Sequence, residues 1–250
     1  MNQAVFEFPL NEKVRTYLRL EQLFKQLNAV ERAEEDWQYI GFLEVLFTLL
    51  DLVERVDLRT DMLKDMDRHE KNLVHWSKHP NIDNDALQSA LKRVLALRSE
   101  LANARKVGSN LKEDKFLMSI RQRFSIPGAT CSFDLPNLLY WLRQPQEQKQ
   151  QEAASWIAEF GLMQTAMDMT LTFLRERGKF TSLEAEKGFY QGTAEDKVEL
   201  IRLYCATDQG YYPTLSGNKY RYIIRFIRFE PDADGKVSVD NTVRFQFASC

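Results

Sequence analysis

The side chains that could do chemistry here are three histidines, three cysteines and two dense runs of basic residues. His69, His75 and His79 lie close together, and His75 with His79 has the i, i+4 spacing that sets two imidazoles on one helix face, as a zinc site needs. No HExxH pattern and no nearby cysteine completes the ligand set. His79 also abuts Pro80 at what reads as a helix end, where a cation complements the helix dipole. Cys131 follows the Pro127-Gly128 turn, but a histidine to activate it would have to come from about 50 residues upstream, so it reads as a small core side chain. Gly188–Gly192 (GFYQG) lacks the lysine and the strand–helix setting of a phosphate loop. The carboxylates form no catalytic pair. No catalysis, metal or cofactor is expected.

The basic runs are a different matter. Lys219–Phe229 (KYRYIIRFIRF) is rich in β-branched and aromatic residues and follows a turn signal at Ser216-Gly217-Asn218, the pattern of a strand. Alternation predicts Tyr220, Tyr222, Ile224 and Phe226 on a core face, with Arg228 sharing it. Lys219, Arg221, Ile223, Arg225 and Ile227 are expected on the other. Arginines four residues apart on a strand sit ~13 Å apart, given ~3.3–3.4 Å rise per residue. Such a cationic ladder suits a carboxylate-bearing partner, though charges on an exposed strand also serve to block edge-to-edge aggregation. The second run spans Arg105 to Arg123. Its six cations (Arg105, Lys106, Lys112, Lys115, Arg121, Arg123) against Glu113 and Asp114 give six minus two, or +4. A helix there puts Lys112, Lys115, Ser119 and Gln122 on one face. It could be a solvated face, or it could join the Arg221/Arg225 strand in one positive groove at a domain junction. Phe189, Tyr190, Tyr220 and Tyr222 are then the apolar anchors an acidic peptide would use.

The elements that must position these residues fall into two regimes. Val5–Pro9 alternates and ends at proline, so it reads as a short strand that pairs with sheet formed much later. From Asn11, a candidate N-cap, the helical period holds for most of the next 160 or so residues. Its first stripe is Val14, Leu18, Phe24 and Leu27, with Leu20 lying off it. Further helices are expected at about 33–55 (apolar nearly all round, hence central), 58–78, 84–106 capped by Asp83, 111–124, 145–160 and 162–177. Residues 129–135 look extended, ending at Pro136. The Gln/Glu/Lys cluster at 144–152 reads as a solvated helix start. Beyond Gly178 alternation returns at Leu200–Cys205, in the basic strand, and at Thr242–Phe247. The fold class is therefore α+β: an N-terminal helical bundle (11–177) with a smaller antiparallel β domain (178–250) that residues 1–10 join.

Composition sets limits. A net charge of −2 makes the whole molecule a poor polyanion binder, so any basic surface must be local. Three scattered cysteines without a CxxC pair argue for reduced thiols in a cytoplasm. Neither a secretory leader nor a membrane-spanning run is expected. A nucleic-acid-binding module using the basic aromatic strand 219–228 stays open as an alternative.

Several blocks, in order and at matching spacing, resemble the ZapD family of bacterial cell-division proteins: Phe6–Lys13 (FEFPLNEK) with Arg15-Thr16 and Leu18-Arg19, then Arg121–Gly128 (RQRFSIPG), Cys131–Pro136 (CSFDLP), Gly188–Gln191 (GFYQ), and Tyr212-Pro213 with Ser216-Gly217 and Arg221. The resemblance implies a helical domain plus a β-strand domain, and a homodimer formed through the helices. It implies direct binding to the C-terminal tail of FtsZ by basic residues, and dimers that bundle FtsZ filaments at the mid-cell division ring. By matched position the tail-binding residues would be Arg221 and Arg225, with Lys219 beside them, Lys115 from the helical part and Arg55. Lys115 stands where the family pattern leads one to expect arginine; it keeps the charge but not the planar fork.

Overall fold

The computed structural model describes residues 3–77, 83–194, 198–218, 220–230 and 237–250. The chain is α+β: β1 (Gln3–Pro9), α1 (Glu12–Asn28), α2 (Asp36–Arg55), α3 (Leu58–Trp76), α4 (Asn84–Asn103), α5 (Ser109–Glu113), α6 (Lys115–Arg121), α7 (Pro136–Leu142), α8 (Gln146–Ala158) and α9 (Gly161–Arg177) are followed by β2 (Thr181–Ala185), β3 (Phe189–Thr193), β4 (Leu200–Ala206), β5 (Tyr211–Gly217), β6 (Arg221–Arg228) and β7 (Val243–Ser249). Two compact units result, Arg19–Thr170 and Met1–Leu18 with Leu171–Cys250; the boundaries fall inside α1 and α9.

In the helical unit, local chemistry sets the helix starts. Asp83 caps α4 by accepting from the Asp85 and Ala86 amides, Asp57 caps α3 through the Thr60 amide, and Asp114 caps α6 through the Leu117 amide. The Asp114 cap corrects an expectation. A continuous helix over 111–124 would need Asp114 in mid-helix; instead its carboxylate breaks the run into α5 and α6, so Lys112 and Lys115 share no helix face. Residues 129–135 are turns, not an extended segment, and Pro136 opens α7, since proline at the first helical position gives up an amide that would be unpaired anyway. α2 buries Tyr39, Phe42, Leu43, Leu46, Phe47, Leu49, Leu50 and Val53, as an all-round apolar helix should. Around it stands an aromatic cluster, with Trp156 stacked on Phe42 at 6.3 Å and Tyr39 edge-on to Trp141 at 5.6 Å. Lys149, expected in a solvated helix start, is buried beside that cluster. Its ammonium donates to the Leu142 carbonyl at 3.0 Å and lies 4.5 Å from the centre of the Tyr39 ring. Leu20 is fully buried too, because the α1 core stripe runs Val14, Tyr17, Leu20, Phe24, Leu27.

In the β unit, Asn11 caps α1 through the Val14 amide, and β1 pairs antiparallel with β4, close to the expected closure of the sheet by the N-terminal strand. The strand orders are β1-β4-β7-β2 and β3-β6-β5. The two sheets share one core, in which Ile201, Leu203, Phe245 and Phe247 meet Tyr222, Ile224 and Phe226. β2 and β3 belong to different sheets and are joined by a tight turn at Lys187-Gly188, both with positive φ (50° and 66°), closed by a bridge between Glu186 and Phe189. The glycine there serves the turn, so Gly188–Gly192 is turn and strand. On the opposite side of β4 and β7, Leu200, Ala248 and Cys250 pack on Val14 and Leu174. Glu7 takes hydrogen bonds from both Arg175 and Arg202 at 2.9 Å, tying β1 to β4 and α9.

Candidate functional site

β6 is the middle strand of its sheet, and its burial follows the pleat from Arg221 to Phe226. Tyr222, Ile224 and Phe226 are buried, Arg221 and Arg225 are exposed, and Ile223 is half-buried between them. The alternation then breaks. Ile227 is buried and Arg228 exposed, where the partner of β6 changes from β3 to a bridge between Ile227 and Ser238. Arg228 therefore leaves the core face on which plain alternation put it.

Cross-strand register completes the outer face. Arg221 pairs with Thr193, Ile223 with Gln191 and Ser216, and Arg225 with Phe189 and Thr214. Every one of these neighbours is uncharged. Among the described residues neither arginine has a carboxylate partner, in contrast to Arg175, Arg202 and Arg244, whose guanidinium groups sit on Glu7 or Glu184. The Arg225 guanidinium lies 5.9 Å from the ring centre of Phe189, itself 42% exposed; this contact orients the fork without neutralising it. The turn before β6 is fixed by Asn218, whose side-chain oxygen accepts from the Tyr220 and Arg221 amides at 2.9 and 3.3 Å. Lys219 lies outside the described residues. Of the expected aromatic anchors, Phe189 and Tyr220 are exposed, but Tyr222 is buried and stacked on Phe247, and Tyr190 is half-buried against Tyr222, Phe245 and Phe247. Gly192 makes room for the Tyr222 ring: a Cβ there would stand 2.4 Å from the Tyr222 hydroxyl.

The other expected site residues belong to the helical unit. Lys115 is the first residue of α6 and is exposed. Three of the six cations of its run are paired with carboxylates, which the +4 of the bare sequence does not show. Arg121 grips Asp51 and Glu54 of α2, Lys112 reaches Glu54 at 3.2 Å, and Arg123 lies 3.9 Å from Asp134. The hydrogen bond from Arg121 holds the Glu54 carboxyl below the usual carboxylate range, and the same pairing raises Arg121. Arg55, the last residue of α2, is exposed on the wall of a cleft of about 480 Å³, together with Arg59 and Lys106. Arg55 and Lys115 have no carboxylate partner among the described residues.

The features that invited catalysis are placed as follows. His69 is buried, with Nε2 3.4 Å from the Thr170 hydroxyl, and His79 lies outside the described residues. Among the described residues no group of three or more His, Cys, Asp or Glu is placed to hold a metal ion. The half-buried Cys131 thiol donates to the Asp134 carboxylate at 3.4 Å. No described helix is long and apolar enough to cross a membrane.

Fold and site together define an α+β protein with an arginine-bearing sheet face on which, among the described residues, Arg221 and Arg225 have no carboxylate partner. A model of the ZapD family, described as a cell division protein, matches residues 18–225. The chain is 40% identical to the cell division protein ZapD of Photobacterium profundum over 245 residues, 98% of each chain. It is likewise 40% identical to that of Shewanella baltica (strain OS185) over 250 residues and the full length of both. With the ZapD of Pectobacterium atrosepticum it shares 37% identity over 246 residues, 98% of this chain and 97% of the relative. The chain belongs to the ZapD family of cell division proteins.

Proposed function

We propose that this protein is a non-enzymatic cell-division factor that binds the C-terminal tail of FtsZ and, as a homodimer, cross-links FtsZ filaments into bundles at the mid-cell division ring in the cytoplasm. The observation that carries the reading is the outer face of β6: Arg221 and Arg225 stand exposed on one strand with uncharged neighbours on both sides. Arginines without a carboxylate partner among the described residues keep their forks for an incoming acidic chain, where each can make two parallel charge-assisted hydrogen bonds. Lys219, Lys115 and Arg55 are assigned as additional tail contacts, with Lys115 contributing charge rather than bidentate geometry. Dimerisation is assigned to the helical domain, 11–177. Two modest tail sites on one dimer, meeting filaments that display many tails, give bundling by avidity without needing tight single sites. Because the contacts are exposed ion pairs, bundling weakens as salt rises.

The test is co-sedimentation with FtsZ filaments. Arg221→Glu combined with Arg225→Glu abolishes it if the reading holds, while the variant keeps its dimer mass in sedimentation velocity. A helical-domain variant that is monomeric but still binds the tail sediments with single filaments and bundles none. Nucleic acid is the second reading of the same strand; a random duplex and single strand at physiological salt check it by gel shift.

A further inference from the structure

The strands at the sheet edges, β1, β2, β3 and β5, are not guarded alike. An edge displays unpaired amides and carbonyls, and folded chains blunt it with charges or proline. β1 carries Glu7 and Pro9, β2 carries Glu184, and β5 carries Pro213. β3 (FYQGT) has neither a charge nor a proline. Its pairing decides which groups it offers. The Ala194 amide donates to the Tyr220 carbonyl at 2.9 Å, and the Phe226 amide donates to the Gly188 carbonyl at 2.8 Å. By the alternation of an antiparallel ladder, Tyr190 and Gly192 then bond to β6 as well. Gln191 and Thr193 turn their amides and carbonyls the other way, to the side on which the order β3-β6-β5 ends.

The two arginines stand beside this edge. Arg225 pairs with Phe189 and Arg221 with Thr193, so both rise on the exposed face from the strand next to β3. The Arg225 guanidinium lies 5.9 Å from the Phe189 ring centre, and so leans toward β3. A further strand would lie ~4.8 Å beyond β3, where its acidic side chains meet arginines that lean that way. Arginines four residues apart are ~13 Å apart along the strand, which matches acids at i and i+4 of an extended chain, both on one face. The β3 of a second copy at this edge would only add more arginines to the face; an acidic strand neutralises the pair.

We infer that β3 accepts an acidic segment as an added strand, whose backbone pairs with the outward amides and carbonyls of Gln191 and Thr193 while carboxylates four residues apart reach Arg221 and Arg225. Taking that segment from the tail of FtsZ rests on the proposed function. The added strand gives the tail a conformation and a register: backbone pairing supplies affinity, and the arginine spacing selects the sequence.

Amide hydrogen exchange, read residue by residue by NMR on the full chain, tests this with two probes. One is a synthetic FtsZ-tail peptide; the other is a nine-residue threonine-valine peptide with two aspartates four positions apart. In the free protein Tyr190 and Gly192 are protected while Gln191 and Thr193 exchange freely, and saturation with either probe slows the latter two about tenfold or more. In fluorescence anisotropy Gln191→Pro, which removes an outward amide and spares the ladder to β6, weakens both probes about three- to tenfold. Moving one aspartate of the model peptide to the i+3 position puts it on the opposite face and weakens binding by a similar factor. Should Gln191→Pro lower the Tm, exchange in the wild-type protein decides alone. Amides of Gln191 and Thr193 that exchange as before with peptide bound overturn the inference. So do amides already slow in the free protein, as a second copy on the edge would make them, and a single-stranded DNA that binds this face while neither peptide does. Tail-peptide binding that is lost in Arg221→Glu/Arg225→Glu, yet leaves both amides unchanged in the wild type, keeps the tail reading and refutes the added strand. A model peptide that protects both amides while the tail peptide does not bind keeps the acidic-strand edge and refutes FtsZ as its source.

Discussion

The exposure of Arg221 and Arg225 depends on which face of β6 is buried, and two adjacent isoleucines measure that directly. Ile224 is fully buried in the core shared by the two sheets, among Tyr222, Phe226 and Phe245. Ile223, one residue earlier, is half-buried on the arginine face. Replacing isoleucine by alanine removes three carbons. At ~0.8 kcal/mol per buried CH₂ the full transfer loss is about 2.4 kcal/mol, and an unrelaxed cavity raises it, so Ile224→Ala costs about 3 kcal/mol within the ~2–5 kcal/mol range for such truncations. Ile223→Ala forfeits about half of the transfer and leaves no closed cavity, so it costs about 1 kcal/mol. The assay needs a probe of the β unit alone. All four tryptophans (37, 76, 141 and 156) belong to the helical unit and the helices dominate far-UV CD, so unfolding of the β unit is followed across a urea series by amide hydrogen exchange of peptides from β4 to β7. Ile224→Ala lowers the urea midpoint of those peptides well beyond Ile223→Ala. Equal losses at the two positions, or a larger loss at Ile223, would refute the face assignment and with it the exposed arginine pair.

Two further outcomes follow from the same side chains. Glu54 has a depressed carboxyl pKa through its hydrogen bond to Arg121, so its contribution to stability is present above the ordinary carboxylate pKa and is lost as pH falls through the folded value. Glu54→Gln therefore flattens the acid limb of Tm against pH between about pH 5 and pH 3, and an unchanged limb would show that the Arg121 clamp is idle. For the cysteines, burial pushes the Cys205 thiol up to about 11 and raises Cys250 as well, whereas Cys131 is half-buried. Iodoacetamide at pH 8 modifies Cys131 in the native protein, and Cys205 and Cys250 only in urea; peptide mass mapping checks this, and early labelling of Cys205 would contradict the sheet packing.

What could be read from the sequence was what neighbouring residues decide. Asp83 and Asn11 act as the caps their positions announced, and the two-residue alternation from Arg221 to Phe226 assigns the strand's faces correctly. The α+β class with an N-terminal strand in the later sheet was legible for the same reason, since Val5–Pro9 had no local partner. Where distant partners decide, the sequence misled. Lys149 lies in a polar run, yet the Leu142 carbonyl and the Tyr39 ring stabilise its buried ammonium. Leu20 and Tyr17 share a stripe that a stricter helical period hid. Asp114 reads as helix interior and Pro136 as the end of an extended segment, whereas Asp114 caps α6 and Pro136 opens α7. For the candidate site, the arginines and the core face of Tyr222 were visible, but the neutral company of Arg225 was not, because it follows from the register of β3 and β5 against β6. The cleft beside Arg55 is assembled from the end of α2, the start of α3, Lys106-Val107 and Met163 of α9, four stretches with no common sequence signal.

The central claim is that the exposed arginine pair of β6 receives the tail of FtsZ. Pelleting of FtsZ filaments with this protein and with its Arg221→Glu/Arg225→Glu variant, at matched dimer mass and matched CD melt, tests it most directly. The wild-type protein is expected to sediment with the filaments, less so as salt is raised, and the variant to stay in the supernatant. Undiminished co-sedimentation of the variant would contradict it.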